Sequence, residues 1–196
     1  VDHIEQLMDV IQTVNVMERS ILGIDGLSRS GKSTLVRQLS QKLSDSDIHF
    51  VVFHMDDHIV ERKHRYQTGN AEWYEYYYLQ WDIDWLTTNF FNMLRESTVV
   101  SLPFYDPSTD TQVKKSLALS LNGLILIEGV FLQRKEWRAF YDYMVYLDCP
   151  REERFSRESA ATQKQLTKFE NRYWKAEEYY LNMEKPRESA DLVLLG

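Results

Sequence analysis

The sequence predicts an α/β fold: a single domain built on a parallel sheet of about five strands, with helices on both faces. Three observations lead there. Five short apolar runs, rich in β-branched and aromatic residues, alternate with stretches of helical period. Four of these runs stop at acidic residues, namely Asp25, the pair Asp56-Asp57, Glu128 and Asp148. The first run also leads through a glycine-rich turn into a helical pattern, as expected where ligands gather beyond the carboxyl ends of parallel strands. A chain of 196 residues, 43% hydrophobic and 27% charged, suits one domain over residues 1–196.

Taken in order, Ile4, Leu7, Met8, Ile11 and Val14 recur at helical spacing, so residues 1–18 read as an amphipathic helix laid against the body. Ile21-Leu22-Gly23-Ile24 is the first buried strand, and Leu35, Val36 and Leu39 mark the helix after it. Phe50–Phe53, Leu124–Ile127, Tyr143–Leu147 and Leu192–Leu195 supply the other strands. Nine aromatic residues crowd the segment from Trp73 to Phe91. Tyr74, Tyr78, Trp81 and Trp85 fall on one helical stripe, which reads as a helix anchored in the core. The rings beside that stripe, Tyr77 among them, are candidates for a stacking wall against a flat acceptor. No Ser/Gly-rich linker, repeat or low-complexity block divides the chain.

Composition excludes several functions. With 23 basic against 30 acidic residues the net charge is -7, so no nucleic-acid or anionic-membrane partner is expected and any phosphate site must be local. The single cysteine, Cys149, cannot form an internal disulfide, and no apolar run approaches the roughly 20 residues needed to span a bilayer. Val1-Asp2-His3-Ile4-Glu5 is too charged for a signal peptide, which leaves the cytoplasm as the expected setting.

Gly26-Leu27-Ser28-Arg29-Ser30-Gly31-Lys32-Ser33, followed by Thr34, fits the phosphate-binding pattern G-x-x-x-x-G-K-[ST] between a strand and a helix. The fold class is therefore that of a P-loop NTPase. Backbone N–H groups from Gly26 through Gly31, Ser28, Arg29 and Ser30 included, would turn around phosphate oxygens at the positive end of the following helix. Lys32 would reach the outer phosphates of ATP, and the Ser33 hydroxyl would ligate Mg2+. No Asn-Lys-x-Asp guanine reader occurs, and the matching strand ends in Ile127-Glu128-Gly129, not the Asp-Glu of a motor ATPase. A kinase for a small hydroxyl compound needs a carboxylate beside the γ-phosphate, and Asp56, at the end of the second strand, is placed to accept the proton. His54, Asp56, Asp57, His58 and His64 fit no closed zinc pattern.

Gly23-Ile24-Asp25-Gly26, His54-Met55-Asp56-Asp57, Pro103-Phe104-Tyr105-Asp106 and Ile127-Glu128-Gly129 resemble, in order and spacing, the uridine kinase group, which includes phosphoribulokinase and pantothenate kinase relatives. Asp148-Cys149-Pro150-Arg151 with Arg154 and Arg157 resembles the stretch leading into that family's arginine-bearing lid, here expected over 151–170. The resemblance implies transfer of the ATP γ-phosphoryl group to a hydroxyl, commonly the ribose 5′-hydroxyl of a nucleoside. It further implies Asp56 as general base, Ser33 and Glu128 on the magnesium side, Arg151 and Arg154 as charge-stabilising groups, and Tyr105 as a substrate contact. Relatives are often homo-oligomers, although no strip of this sequence marks an interface. Three departures stand out, two on the acceptor side and one in the lid over the phosphates. Pro107 and Asp110 occupy positions where uridine kinases usually carry Phe and His, His58-Ile59 replaces an aromatic pair, and Glu158–Gln163 replaces an Arg-Gly-Arg element. Two other readings remain open: a kinase for a nucleotide, sugar phosphate or pantothenate-like alcohol, and a nucleotide-binding regulator without turnover.

Overall fold

In the computed structural model, which describes residues 2–14 and 17–196, the five expected strands form one parallel sheet. The strands are β1 (Arg19–Asp25), β2 (Phe50–His54), β3 (Val99–Asp106), β4 (Thr111–Ala118), β5 (Gly123–Gly129), β6 (Tyr143–Asp148) and β7 (Leu192–Leu195). The sheet order is β2-β5-β1-β6-β7, while β3 and β4 pair separately as an antiparallel hairpin. Alternation along the strands divides the core in two. Leu22, Ile24, Leu124 and Leu126 face one helical layer with Leu35, Val36 and Leu39. Ile21, Ile125 and Ile127 face the aromatic layer with Trp81, Phe91 and Trp137. Register sets the functional edge, because Glu128 of β5 stands opposite both Ile24 of β1 and His54 of β2.

The first helix runs over His3–Thr13, with Asp2 as N-cap accepting from the Ile4 N–H at 2.9 Å and with Leu7 and Ile11 buried. It is shorter than the expected span 1–18, of which Val1, Asn15 and Val16 lie outside the described residues. The aromatic stripe is not one helix. Helices Glu72–Tyr78 and Ile83–Asn89 are separated at residues 79–82, and Asp82 caps the second by accepting from the Trp85 N–H at 3.0 Å. An aspartate at that point is itself a helix-start signal, and it overrides the continuous apolar period. Trp81, in the break, is buried and donates through Nε1 to the Met55 carbonyl at 2.8 Å. The β3–β4 hairpin has no counterpart in the sequence reading. β4 reads Thr-Gln-Val-Lys-Lys-Ser-Leu-Ala and is mostly exposed, so it lacks the apolar alternation that marks a half-buried strand. The 151–170 region contains helices Arg151–Ser156 and Ala160–Gln163. Among the described residues no helix is long and apolar enough to cross a membrane.

A π-helical turn, Phe169–Tyr173, leads into the helix Trp174–Glu184. From this turn the buried Arg172 guanidinium pairs with Glu75 at 3.0 Å, donates to the Arg65 carbonyl at 3.0 Å and lies 4.0 Å above the Tyr66 ring. Glu75 in turn accepts from the Thr68 N–H and hydroxyl at 2.7 and 2.9 Å. This network ties the 62–70 loop, the Glu72–Tyr78 helix and the π-turn into one wall. Truncating one partner leaves a buried charge uncompensated, so Arg172→Met is expected to lower unfolding free energy by about 3 to 5 kcal/mol in urea denaturation. Arg172→Met/Glu75→Leu should recover part of that loss, since neither charge then remains.

Candidate active site

The turn after β1 is shaped by close packing. A Cβ on Gly26 would lie 2.7 Å from the Leu147 carbonyl oxygen, so no side chain fits where the loop passes β6. Gly31 takes φ +105° and serves as N-cap of the helix Lys32–Ser44 without a side-chain cap, leaving the first N–H groups of that helix to a ligand. The Lys32 ammonium is nearly buried and donates to the Leu27 carbonyl at 2.9 Å. Burial lowers its pKa, an effect opposed by the carboxylates of Glu128, Asp56 and Asp25. Asp25 itself is structural. Fully buried, it accepts from Tyr180 Oη at 2.5 Å, from Gln133 Nε2 at 3.0 Å and from the Leu132 N–H at 3.2 Å.

Glu128, at the end of β5, accepts on Oε1 from the Ser33 hydroxyl at 3.1 Å and from His54 Nδ1 at 2.8 Å. Burial raises its pKa, but the hydrogen bond from His54 and the charge of Lys32 together hold it below the ordinary value. The His54 pKa is raised, chiefly by that same hydrogen bond. Glu128 Oε2 is buried without a partner among the described residues. An unmet carboxylate oxygen beside a serine hydroxyl is an oxygen donor set suited to a hard divalent cation such as magnesium. Among the described residues no group of three or more His, Cys, Asp and Glu side chains is arranged to hold a metal, the His54–His64 set included. A cation here would therefore share Ser33 and Glu128 with the phosphates of a nucleotide.

Asp56 lies in a short turn, Met55–His58, directly after β2. Trp81 holds that turn through Met55, and the buried His58 donates through Nδ1 to the Pro103 carbonyl at 2.8 Å. Asp56 is exposed to the open cleft, whose walls are protein groups on both sides. Loss of hydration raises its pKa, Lys32 pulls it back, and Glu128 and Asp57 raise it further.

These groups share one cleft of about 780 Å³, lined on the phosphate side by Ser28, Arg29, Gly31, Lys32, Ser33 and Thr34, with Asp56 and Glu128 beside them. Arg154 also lines it, but its guanidinium is already engaged. It makes two bonds to Glu177, at 2.8 and 2.9 Å, and others to the Ser28 and Cys149 carbonyls. The structure thus makes Arg154 a positioning residue for the phosphate loop. Arg151, expected at the cleft, is instead on the outer surface, paired with Glu178 at 2.8 Å and stacked over Trp174. At the C-cap of the same helix, Arg157 reaches the cleft and donates to the Arg29 carbonyl at 2.9 Å, while Arg29 pairs with Glu158 at 3.0 Å.

Tyr77 is not a cleft wall. It is 2% exposed, edge-on to Phe131 and Tyr179, with the Arg134 guanidinium 4.5 Å from its ring. Its neighbour Tyr76 lines the cleft in its place, since one residue on a helix turns the side chain by about 100°. Tyr105 stands behind the cleft: its hydroxyl donates to Asp110 at 2.9 Å and accepts from Arg65 at 3.2 Å, and Arg65 is the group that faces the cavity. Sequence reasoning missed Arg65, Tyr66, Gln80, Tyr173 and Glu177, which belong to no short motif and reach the cleft only through tertiary packing. The Tyr and Trp content of the final helix was the one available signal.

The chain is similar to known proteins along most of its length. The Phosphoribulokinase / Uridine kinase family model matches residues 21–160. The chain is 26% identical over 186 residues to the uridine kinase of Borrelia duttonii (strain Ly), covering 89% of this chain and 85% of that one. It is 54% identical to a solved structure described as a possible uridine kinase from Bacillus stearothermophilus, with a TM-score of 0.87 and coverage of 97% and 96%. D-glycerate 3-kinase from Cryptococcus neoformans var. grubii shares the fold at 10% identity, with a TM-score of 0.58 over 97% of this chain and 89% of that one. The family match contains the phosphate loop, the Asp56 turn and the Glu128 strand end, and the chain belongs to the phosphoribulokinase / uridine kinase family of P-loop kinases.

Proposed function

We propose that this protein transfers the γ-phosphoryl group of ATP, bound with magnesium, to the 5′-hydroxyl of a nucleoside, with uridine the foremost acceptor. The observation that carries the proposal is Asp56, a carboxylate open to the same cleft as Lys32 and the Ser33–Glu128 pair. A regulator that only held nucleotide would have no use for a proton acceptor there. The names of the relatives, uridine kinase in Borrelia duttonii and a possible uridine kinase in Bacillus stearothermophilus, favour a nucleoside acceptor over other alcohols. Tyr76, Phe169, Tyr173 and Trp174 supply flat apolar surface on the acceptor side. A cytoplasmic setting goes with ATP as donor.

In this reading the loop N–H groups and Lys32 hold the phosphates and compensate their charge. Asp56 accepts the proton of the acceptor hydroxyl while that oxygen bonds to the γ-phosphorus and the bond to the β-phosphate oxygen breaks. Magnesium, held by Ser33 and Glu128 when bound, neutralises charge on the phosphate oxygens. His54 keeps Glu128 ionised, and Arg157 brings a further positive charge to the cleft. Arg154 holds Ser28, and with it the loop, in place.

Lys32→Ala should weaken ATP binding and turnover together, because its charge serves both the bound substrate and the transition state; calorimetry and coupled ADP release measure the two. Asp56→Asn should leave ATP affinity close to that of the wild type while lowering turnover about a hundredfold or more. A base must be ionised to act, and the Asp56 pKa is raised, so the acid limb of kcat/KM should lie above the pH of about 4 typical of an aspartate. That limb should be absent from the residual activity of Asp56→Asn. Glu128→Gln should raise the magnesium concentration needed for half-maximal rate, read from a magnesium titration at fixed ATP.

A further inference from the structure

Gln80 sits in the break between helices Glu72–Tyr78 and Ile83–Asn89, and its carbonyl accepts from the Val60 N–H at 3.0 Å. That bond fixes it against the segment following Asp56, on the acceptor side of the cleft, which it lines with Asp56, Ile59 and Tyr76. Gln80 is only 9% exposed, yet its side-chain amide makes no hydrogen bond among the described residues, and Oε1 is buried without a partner. Three other polar side chains of the cleft are engaged with carboxylates: Arg154 with Glu177, Ser33 with Glu128, Arg29 with Glu158. Buried amides are ordinarily satisfied, so an unmet one in a cleft wall points to a ligand that supplies the missing partners.

We infer that Gln80 is a specificity-determining residue that reads an N–H and C=O edge on the acceptor's base. This rests on the nucleoside kinase reading above. A side-chain amide has a donor and an acceptor side by side and no charge, so its complement is a neutral edge with the same two functions. The N3–H of uracil with its neighbouring carbonyl is such an edge. The family positions usually filled by Phe and His are Pro107 and Asp110 here, and Asp110 is taken up by Tyr105 and the Arg62 N–H. Gln80, from a different segment, supplies neutral donor and acceptor capacity on this side of the pocket.

The test is a cycle between enzyme and substrate, using uridine and 3-methyluridine, in which N3 carries no hydrogen. The wild type should prefer uridine by about tenfold or more in kcat/KM, because the methylated base leaves the Gln80 amide unpaired. In Gln80→Leu, and in Gln80→Met as a second variant, the ratio should fall to within about twofold of one. Melting temperatures of the ligand-free variants should equal or exceed that of the wild type, since an unmet buried amide is removed. A wild-type ratio near one, a ratio unchanged in both variants, or a marked loss of melting temperature in both would overturn the inference while leaving the kinase reading intact. A wild type that binds ATP but phosphorylates no nucleoside would overturn the proposed activity, and this inference with it.

Discussion

The site depends on one carboxylate at the end of an inner strand of the parallel sheet. Glu128 ends β5, the strand flanked by β1 and β2, so it is the position from which one side chain reaches both the phosphate-loop helix and the strand carrying the Asp56 turn. Its Oε1 accepts from Ser33 on one side and His54 on the other. A shift of register between β2 and β5 would face His54 away and leave the buried acid with one of its two donors. Sheet pairing and site electrostatics are therefore the same constraint seen at two scales.

Around that centre the charges are kept apart by their partners. Asp25, although at the end of the strand feeding the phosphate loop, is withdrawn from it by Tyr180, Gln133 and the Leu132 N–H. Lys32 is thus left with Glu128 and Asp56 as its acidic neighbours on the cleft side. Arg154 and Glu177 compensate each other, which lets a buried arginine hold the Ser28 carbonyl without adding net charge to the cleft. The segment after β6 is fixed to the phosphate loop from outside by Arg154, Arg157 and the Arg29–Glu158 pair.

The five parallel strands were legible because each reads as a short apolar run, fully buried in β1 and β5 and partly buried in the edge strands β2 and β7, and the phosphate loop because its glycines answer to a fixed backbone shape. Asp56 and Glu128 were legible as the first acids past such runs. The β3–β4 hairpin was not, because Lys114, Lys115 and Ser116 on β4 face solvent and erase the alternation. Choosing among Arg151, Arg154 and Arg157 required helical phase and knowledge of which carboxylates stand nearby; Glu177 and Glu178 lie over twenty residues further along the chain. Choosing Tyr76 over Tyr77 required the same kind of information, since adjacent tyrosines are alike in composition and differ only in direction. Gln80 carried no signal at all, for its meaning lies in bonds it does not make.

The π-turn at Phe169–Tyr173 has a consequence for how this cleft can change over time. A wider turn accommodates one more residue than the α-helix around it, and each residue advances the helix by about 100°. The side chains of the turn and those after it therefore belong to two rotational settings of one rod: Arg172, in the turn, locks the rod to Glu75, whereas Glu177, beyond it, engages Arg154 beneath the phosphate loop. Gain or loss of a single residue in the turn would rotate one half against the other, presenting a different set of side chains to the acceptor without altering any residue of the phosphate loop. Chain length at this one point is thus a determinant of the pocket distinct from residue identity.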